Sequence, residues 1–203
     1  MEFKTITTLK TNWLKNNTEN GGAFKIVLDS KPDNNIVVNM VTVKYGRMWA
    51  DVDNDKLLKL VEKDNGIYEV ITTYPHKVYF DIDKKNVDNN DIYYNKILSK
   101  IHELFPSSIV AVSGSITDVK RSYHITLSNY LIKNANDRNY IKLICKYLNE
   151  NFDDGFDDKV YTNNRNMKCI NQSKGDGRIQ KIILNDDTTA HMITTFINNN
   201  CLE

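Results

Sequence analysis

Two aspartates, spaced by one residue at the end of an apolar run, open the chemistry of this chain: Val78-Tyr79-Phe80-Asp81-Ile82-Asp83. Strand side chains alternate between faces, so Asp81 and Asp83 point one way while Phe80 and Ile82 point the other. Adjacent carboxylates repel, and a counter-cation relieves the repulsion. Hard divalent ions with oxygen ligands do this well. The plainer alternative is a polar strand end running into Lys84-Lys85 and a turn. A second cluster is Lys120-Arg121-Ser122-Tyr123-His124-Ile125-Thr126, where Ser122 and His124 share a face behind a basic pair. A histidine beside a hydroxyl can bind a phosphate oxygen or move a proton, though a lone strand histidine is also a common structural residue. A Ser–His nucleophilic pair is disfavoured, because no glycine-flanked nucleophile turn accompanies it. The third cluster runs from Phe156-Asp157-Asp158 through Asn164-Arg165-Asn166 and Lys168 to Ser173-Lys174. If Asp157 joins Asp81 and Asp83, three carboxylates can hold one or two divalent ions. Arg165, Lys168 and Lys174 then face a triphosphate or template phosphates. Otherwise the third run is a solvated charged loop.

These clusters need elements to position them. β-Branched and aromatic content predicts strands over 24–28, 36–45, 67–72, 76–83, 108–114, 121–128, 165–171 and 178–184. Apolar residues at steps of three and four predict helices over 54–63, 91–104 and 135–151, with a short one at 188–197. Ile92, Ile97, Ile101 and Leu104 form the expected stripe of the second helix, with Asp91 as its cap. Tyr140, Ile141, Leu143, Ile144, Tyr147 and Leu148 form that of the third. The fold class expected is α+β, with mixed, mostly antiparallel sheets flanked by helices.

Composition narrows the function classes. The 203 residues carry 27 basic and 26 acidic side chains, a formal +1, so overall charge alone will not hold nucleic acid. At 40% hydrophobic the chain can bury a sizeable core. No apolar run approaches the ~18 residues of a membrane span, and the first residues lack a secretory signal's apolar core. An intracellular protein without a membrane partner is therefore expected. Cys145, Cys169 and Cys201 are scattered, without a CxxC pair, and give no zinc-site spacing.

The order of the three clusters resembles the catalytic core of the archaeo-eukaryotic primase superfamily, nearest to its primase-polymerase branch of eukaryotes and large DNA viruses. HKVYFDID is similar to that branch's first motif, an apolar strand ending in acid-x-acid. KRSYHITL is similar to its second, Ser-x-His after a lysine. FDDKVYTNNRNMKCINQSK is similar to its third, an acid followed by VYT, NRN, a basic residue and SK. The likeness covers roughly residues 67–185. It implies an RRM-related core over 66–203 with a small N-terminal lobe over 1–65, the two forming one unit without a linker.

Carried over by position, the resemblance implies Asp81, Asp83 and Asp157 as ligands of two Mg2+ or Mn2+ ions, with Asp158 the second choice for the third acid. Ser122 and His124, with Lys120 nearby, would hold the nucleotide's phosphates. Arg165, Lys168 and Lys174 would contact triphosphate or primer end. The implied activity is DNA primase or polymerase chemistry on single-stranded DNA or a primer–template duplex, with dNTP or NTP, at the site of DNA replication. Eukaryotic members of the branch it resembles have Glu where Asp83 stands, and Arg where Lys168 stands; Lys keeps the charge but loses bidentate phosphate geometry. The usual zinc-binding module has no counterpart here, so it is expected on a longer or separate chain, or else initiation is poor. A helicase domain is a further expected partner.

Three rival readings compete. A metal-dependent nuclease also uses clustered acids with a lysine, and a non-catalytic single-strand DNA-binding module could keep the same shape. Asp51, Asp53, Asp55 and Glu62 fall at EF-hand positions, but Lys56 stands where the turn needs glycine, which argues against calcium. Tyr45-Gly46-Arg47-Met48-Trp49 offers aromatics and a cation for template binding, with core packing as the alternative for Trp49.

Overall fold

A computed structural model describes residues 11–15, 22–42, 46–63, 66–72, 74–85, 90–117, 120–152, 155–173 and 177–197. The described chain is α+β, with two antiparallel sheets flanked by helices. In order, the elements are β1 (Leu14–Lys15), α1 (Ala23–Ser30), β2 (Ile36–Thr42), β3 (Gly46–Val52), α2 (Asn54–Val61), β4 (Ile67–Ile71), β5 (His76–Lys85) and α3 (Asn90–Leu104). There follow β6 (Val110–Ile116), β7 (Lys120–Ile132), α4 (Ala135–Phe152), a 3-10 turn (Asp158–Val160), β8 (Arg165–Lys168), β9 (Lys181–Leu184) and α5 (Thr188–His191). The first sheet has the order β1-β3-β2-β4-β8 and the second β5-β7-β6-β9.

Alternation in β5 and β7 fixes the second sheet. Val78, Phe80 and Ile82 of β5 point to one face with Tyr123, Ile125 and Leu127 of β7 and Val110 and Val112 of β6. Ile97 and Ile101 of α3 and Ile141, Cys145 and Leu148 of α4 cover that face. Each fully buried side chain of this size contributes about 1.5–3 kcal/mol, so a register slip that turned Phe80 and Ile82 outward would dismantle the core. The opposite face is left to the polar residues of the same strands. In the first sheet Val38, Met40, Met48, Ala50 and Ile67 pack with Leu57, Leu60 and Val61 of α2. Its other face places Val37, Trp49 and Val70 under Ala23 and Val27 of α1.

The first sheet is not built from the N-terminal residues alone. β4 and β8 pair from Tyr68↔Lys168 to Ile71↔Arg165, so the segment carrying Arg165 and Lys168 closes the sheet that begins at residue 14. Glu69 locks the C-terminal segment onto it. Its buried carboxylate accepts from the Ile193 and Thr194 amides, both at 2.9 Å, and from Thr194 Oγ1 at 2.7 Å.

The fold corrects several sequence expectations. Residues 24–28 lie in helix α1, not a strand, because Ala23 and Val27, four apart, both reach the core. The strand expected over 36–45 ends at Thr42, and a further strand, β3, pairs back on it from Gly46. Helix α3 starts at Asn90, so Asp91 is inside its first turn rather than before it. Of the two expected stripes, Ile97, Ile101, Ile141 and Leu148 are buried, whereas Ile92, Leu104, Tyr140, Leu143 and Tyr147 are exposed, and Cys145 joins the buried face of α4. The last expected helix is a single turn.

Candidate functional site

The polar face of β5 and β7 collects the first two clusters. Cross-strand register sets Asp81 opposite His124 and Asp83 opposite Ser122, and β6 adds Ser113 beside His124 and Ser115 beside Ser122. Lys120, at the start of β7, reaches across to Asp83, with Nζ–Oδ2 at 2.9 Å.

The third acid arrives by a short backbone bridge. Ile82 pairs antiparallel with Phe156. The Asp157 amide donates to the Asp81 carbonyl at 2.8 Å, and the Asp83 amide to the Gly155 carbonyl at 2.9 Å. That register sets Asp157 opposite Asp81, on the carboxylate face, while Phe156 turns into the core against Phe80. Asp158 falls one residue further on, in the 3-10 turn, so the alternation favours Asp157 as third acid.

Several contacts hold the bridge in place. Asn149 of α4 clamps the Phe156 backbone, its Nδ2 donating to the carbonyl at 2.6 Å and its Oδ1 accepting from the amide at 2.8 Å. Gly155 has φ of 75°, and a Cβ there would stand 2.7 Å from the Asp83 carbonyl oxygen. Only glycine permits so close an approach in that conformation. Beyond the acid, Tyr79 donates its phenol to the Val160 carbonyl at 3.0 Å, and Tyr161 donates to the Tyr79 carbonyl. Burial raises the pKa of both phenols, which keeps them neutral donors.

Strand β8 supplies the cations. Arg165 lies 3.8 Å from Asp157, measured Nη2 to Oδ2. His124 Nδ1 sits 3.2 Å from the Lys168 carbonyl, an oxygen that only accepts, so Nδ1 carries the proton. The other ring nitrogen then faces Asp81 Oδ1 at 3.6 Å. Desolvation lowers the His124 pKa, and Lys168 pushes the same way, while Asp81 opposes them. In neutral His124 the Nε2 lone pair and the Asp81 oxygen are both acceptors, so a cation or a donor between them satisfies both.

Among the described residues no three Asp, Glu, His or Cys side chains are grouped to hold a metal ion as they stand. Asp83 leans on Lys120 and Asp157 on Arg165. The donor set still suits Mg2+ or Mn2+, because three carboxylates on neighbouring positions of one face offer hard oxygen ligands.

A groove of about 570 Å3 opens beside this face and shares Arg165 with it; Asn39, Arg47, Tyr68, Thr162, Asn164 and Asn166 are among its other lining residues. Asn39 and Asn166 each bury a carbonyl oxygen with no hydrogen-bond partner, and Arg165 likewise buries its Nε. Sequence reasoning identified Arg165 and the NRN run but missed Asn39 and Tyr68. The signal was a register, Asn39↔Tyr68 and Tyr68↔Lys168, which joins residues far apart in the chain.

Of the expected site residues, Asp81, Asp83, Asp157, Ser122, His124 and Lys120 share one face, and Arg165 and the Lys168 backbone meet it from β8. Lys174 lies outside the described residues, as does Tyr45. Arg47 lines the groove, whereas Trp49 is core, its ring 4.9 Å from that of Phe24. Asp53 caps α2 by accepting from the Lys56 amide at 2.7 Å, and Asp51 accepts from Asn35. Those two acids therefore have structural work. No protein-family model matches the chain, and a search of curated proteins returns no match.

Proposed function

We propose that the chain is a nucleotidyltransferase with a primase-like, RRM-related core, a DNA primase or polymerase of the archaeo-eukaryotic primase superfamily. One observation carries the reading: the Ile82–Phe156 bridge sets Asp157 opposite Asp81 on the face that already holds Asp83, Ser122 and His124. Residues of three sequence motifs separated by dozens of residues thus meet on one surface, which supports a phosphate-transfer reading.

Asp81, Asp83 and Asp157 would hold two Mg2+ or Mn2+ ions, which supply charge neutralisation at the α-phosphate and activation of the attacking 3′-hydroxyl. Arg165 and Lys168 bind phosphate oxygens, and Lys120 adds a third cation on the Asp83 side. His124, tied through Nδ1 to the Lys168 carbonyl, keeps β7 and β8 in fixed relation while Nε2 faces the acids. Ser122 offers a hydroxyl at the same level of the sheet. The groove behind Arg165 takes the base: Tyr68 provides a ring, and Asn39 and Asn166 provide acceptors for amino groups on a base edge. Catalysis of this kind is positioning and charge stabilisation, so no covalent nucleophile is required.

The test is extension of a labelled primer–template beside the unprimed strand, with Mg2+ or Mn2+ and with dNTPs or NTPs. Metal-dependent lengthening of the primer supports the reading, and products on the unprimed strand add priming. Shortening of the labelled strand would replace it with a nuclease, and binding without change would leave a single-strand binding module.

A further inference from the structure

Beyond the groove at Arg165, the cavities continue. Thr162 lines both that groove and a small gap of about 20 Å3, and Thr72 and Tyr74 line both the gap and a larger pocket of about 290 Å3. The three depressions therefore follow one another along β4. Tyr68 stands in the first, Val70 and Thr72 in the last, and residues at this spacing share a face.

The far pocket is walled by Lys31, Asn34, Pro75, Phe196, Tyr74 and Thr195. Two of its hydroxyls are buried without a hydrogen-bond partner, Tyr74 Oη and Thr195 Oγ1. Thr195 is only 4% exposed, so its hydroxyl has no ready access to bulk water. Leaving such a group unmade costs about 1–3 kcal/mol. Phe196 adds strain, with φ of 53°, a conformation that bulky side chains rarely adopt. Orphaned hydroxyls and a strained residue along one cavity wall call for an explanation, and a ligand would supply it; the Phe196 ring also packs against the core beneath α2. Asp33 on the lining offsets Lys31, so the grip here comes from hydroxyls and a ring rather than from charge.

We propose that this pocket seats a further base of a single-stranded polynucleotide whose first bound base lies in the Arg165 groove. The proposal rests on the nucleic-acid reading of that groove. Tyr74 and Thr195 hydrogen-bond the base edge, and Phe196 packs on its face. Tyr68 and Thr72 are four steps apart along β4 and the residue that follows it, about 13 Å at about 3.3 Å per step, or roughly four stacked nucleotides at 3.4 Å each and fewer in an extended strand.

The experiment is fluorescence anisotropy of labelled oligodeoxynucleotides of increasing length, with EDTA present so that no chemistry occurs. Wild-type protein is expected to bind strands long enough to span both sites about fivefold to tenfold more tightly than shorter ones, the worth of one stacked base. Thr195→Val, nearly isosteric, and Phe196→Ala should each bring the long-to-short affinity ratio towards one. The salt dependence of the long strand should change little, because no phosphate contact is lost. An unchanged ratio in both variants would overturn the proposal, as would equal loss at every length or no length dependence in wild type. Primer extension run in parallel separates the two claims: transfer with no ratio change removes only the second base site. A ratio change without transfer removes only the nucleotidyltransferase reading.

Discussion

The two sheets handle their carboxylates in opposite ways. Glu69, in the first sheet, is 2% exposed, and its oxygens accept three hydrogen bonds of 2.7–2.9 Å from the segment it holds. In the second sheet Asp83, its side chain 45% exposed, pairs with Lys120; Asp157, 33% exposed and joined to that sheet through the Phe156 bridge, turns one oxygen to Arg165 while the other caps the 3-10 turn by accepting from the Lys159 amide at 2.9 Å. Asp81 faces a histidine nitrogen at 3.6 Å, beyond hydrogen-bond reach. A carboxylate saturated by backbone donors is committed to structure. One held by long flexible cations can exchange them for a ligand at small cost, since exposed ion pairs contribute only about 0–1 kcal/mol. The contrast separates a structural acid from candidate functional ones.

The contrast breaks most sharply at Asp81. Asp81→Ala should lower primer extension by more than the roughly 10–100-fold typical of losing an outer-shell partner of a metal site. Its circular dichroism and thermal midpoint should stay near wild type. Extension at wild-type rate by that variant would remove Asp81 from the site. Glu69→Ala is the converse experiment. It strands three donors, the Ile193 amide buried and the two of Thr194 part-buried, and should cost about 3 kcal/mol in denaturant unfolding, with residual activity tracking the folded fraction. A Glu69 variant as stable as wild type would erase the distinction between the two kinds of acid.

A smaller effect belongs to the bridge that carries Asp157. Gly155→Ala forces a Cβ into the Asp83 carbonyl at a positive φ, a strain of about 1–3 kcal/mol. Extension should fall further than that stability loss explains, because the third acid moves. Activity that follows stability alone would show that the bridge does not set the site. Smallest is Lys120→Ala: stability should change by under about 1 kcal/mol, while the nucleotide KM rises with kcat little altered. An unchanged KM would make Lys120 only the partner of Asp83.

Much of this comparison was legible from residue order. Alternation placed Asp81 with Asp83 and Ser122 with His124 on shared faces, and strand chemistry located β5 and β7 to within a few residues. What alternation could not supply was register between distant segments. The Ile82–Phe156 pairing that distinguishes Asp157 from Asp158 depends on an α4 side chain, Asn149, and on the conformation of Gly155. Glu69 was equally hidden, because an acid in a strand reads as solvent-facing until its partners at 193 and 194 are known. Residues 24–28 misled for another reason. FKIVL has β-branched content, but the buried pair Ala23 and Val27 favours a helix packed on Trp49, and tertiary packing overrides local propensity. The outward stripe of Tyr140, Leu143 and Tyr147 shows the same limit, since periodicity gives a face but not which of two faces is buried.

The most direct test of the account compares Asp157→Asn with Asp158→Asn in metal-dependent primer extension, after both are shown to fold. The two residues are neighbours of the same type, and the pairing of Phe156 with Ile82 puts Asp157, not Asp158, on the face of Asp81. The account predicts that Asp157→Asn abolishes extension while Asp158→Asn retains most of it. Loss in the Asp158 variant with activity kept at Asp157, or activity in both, would contradict the three-carboxylate site.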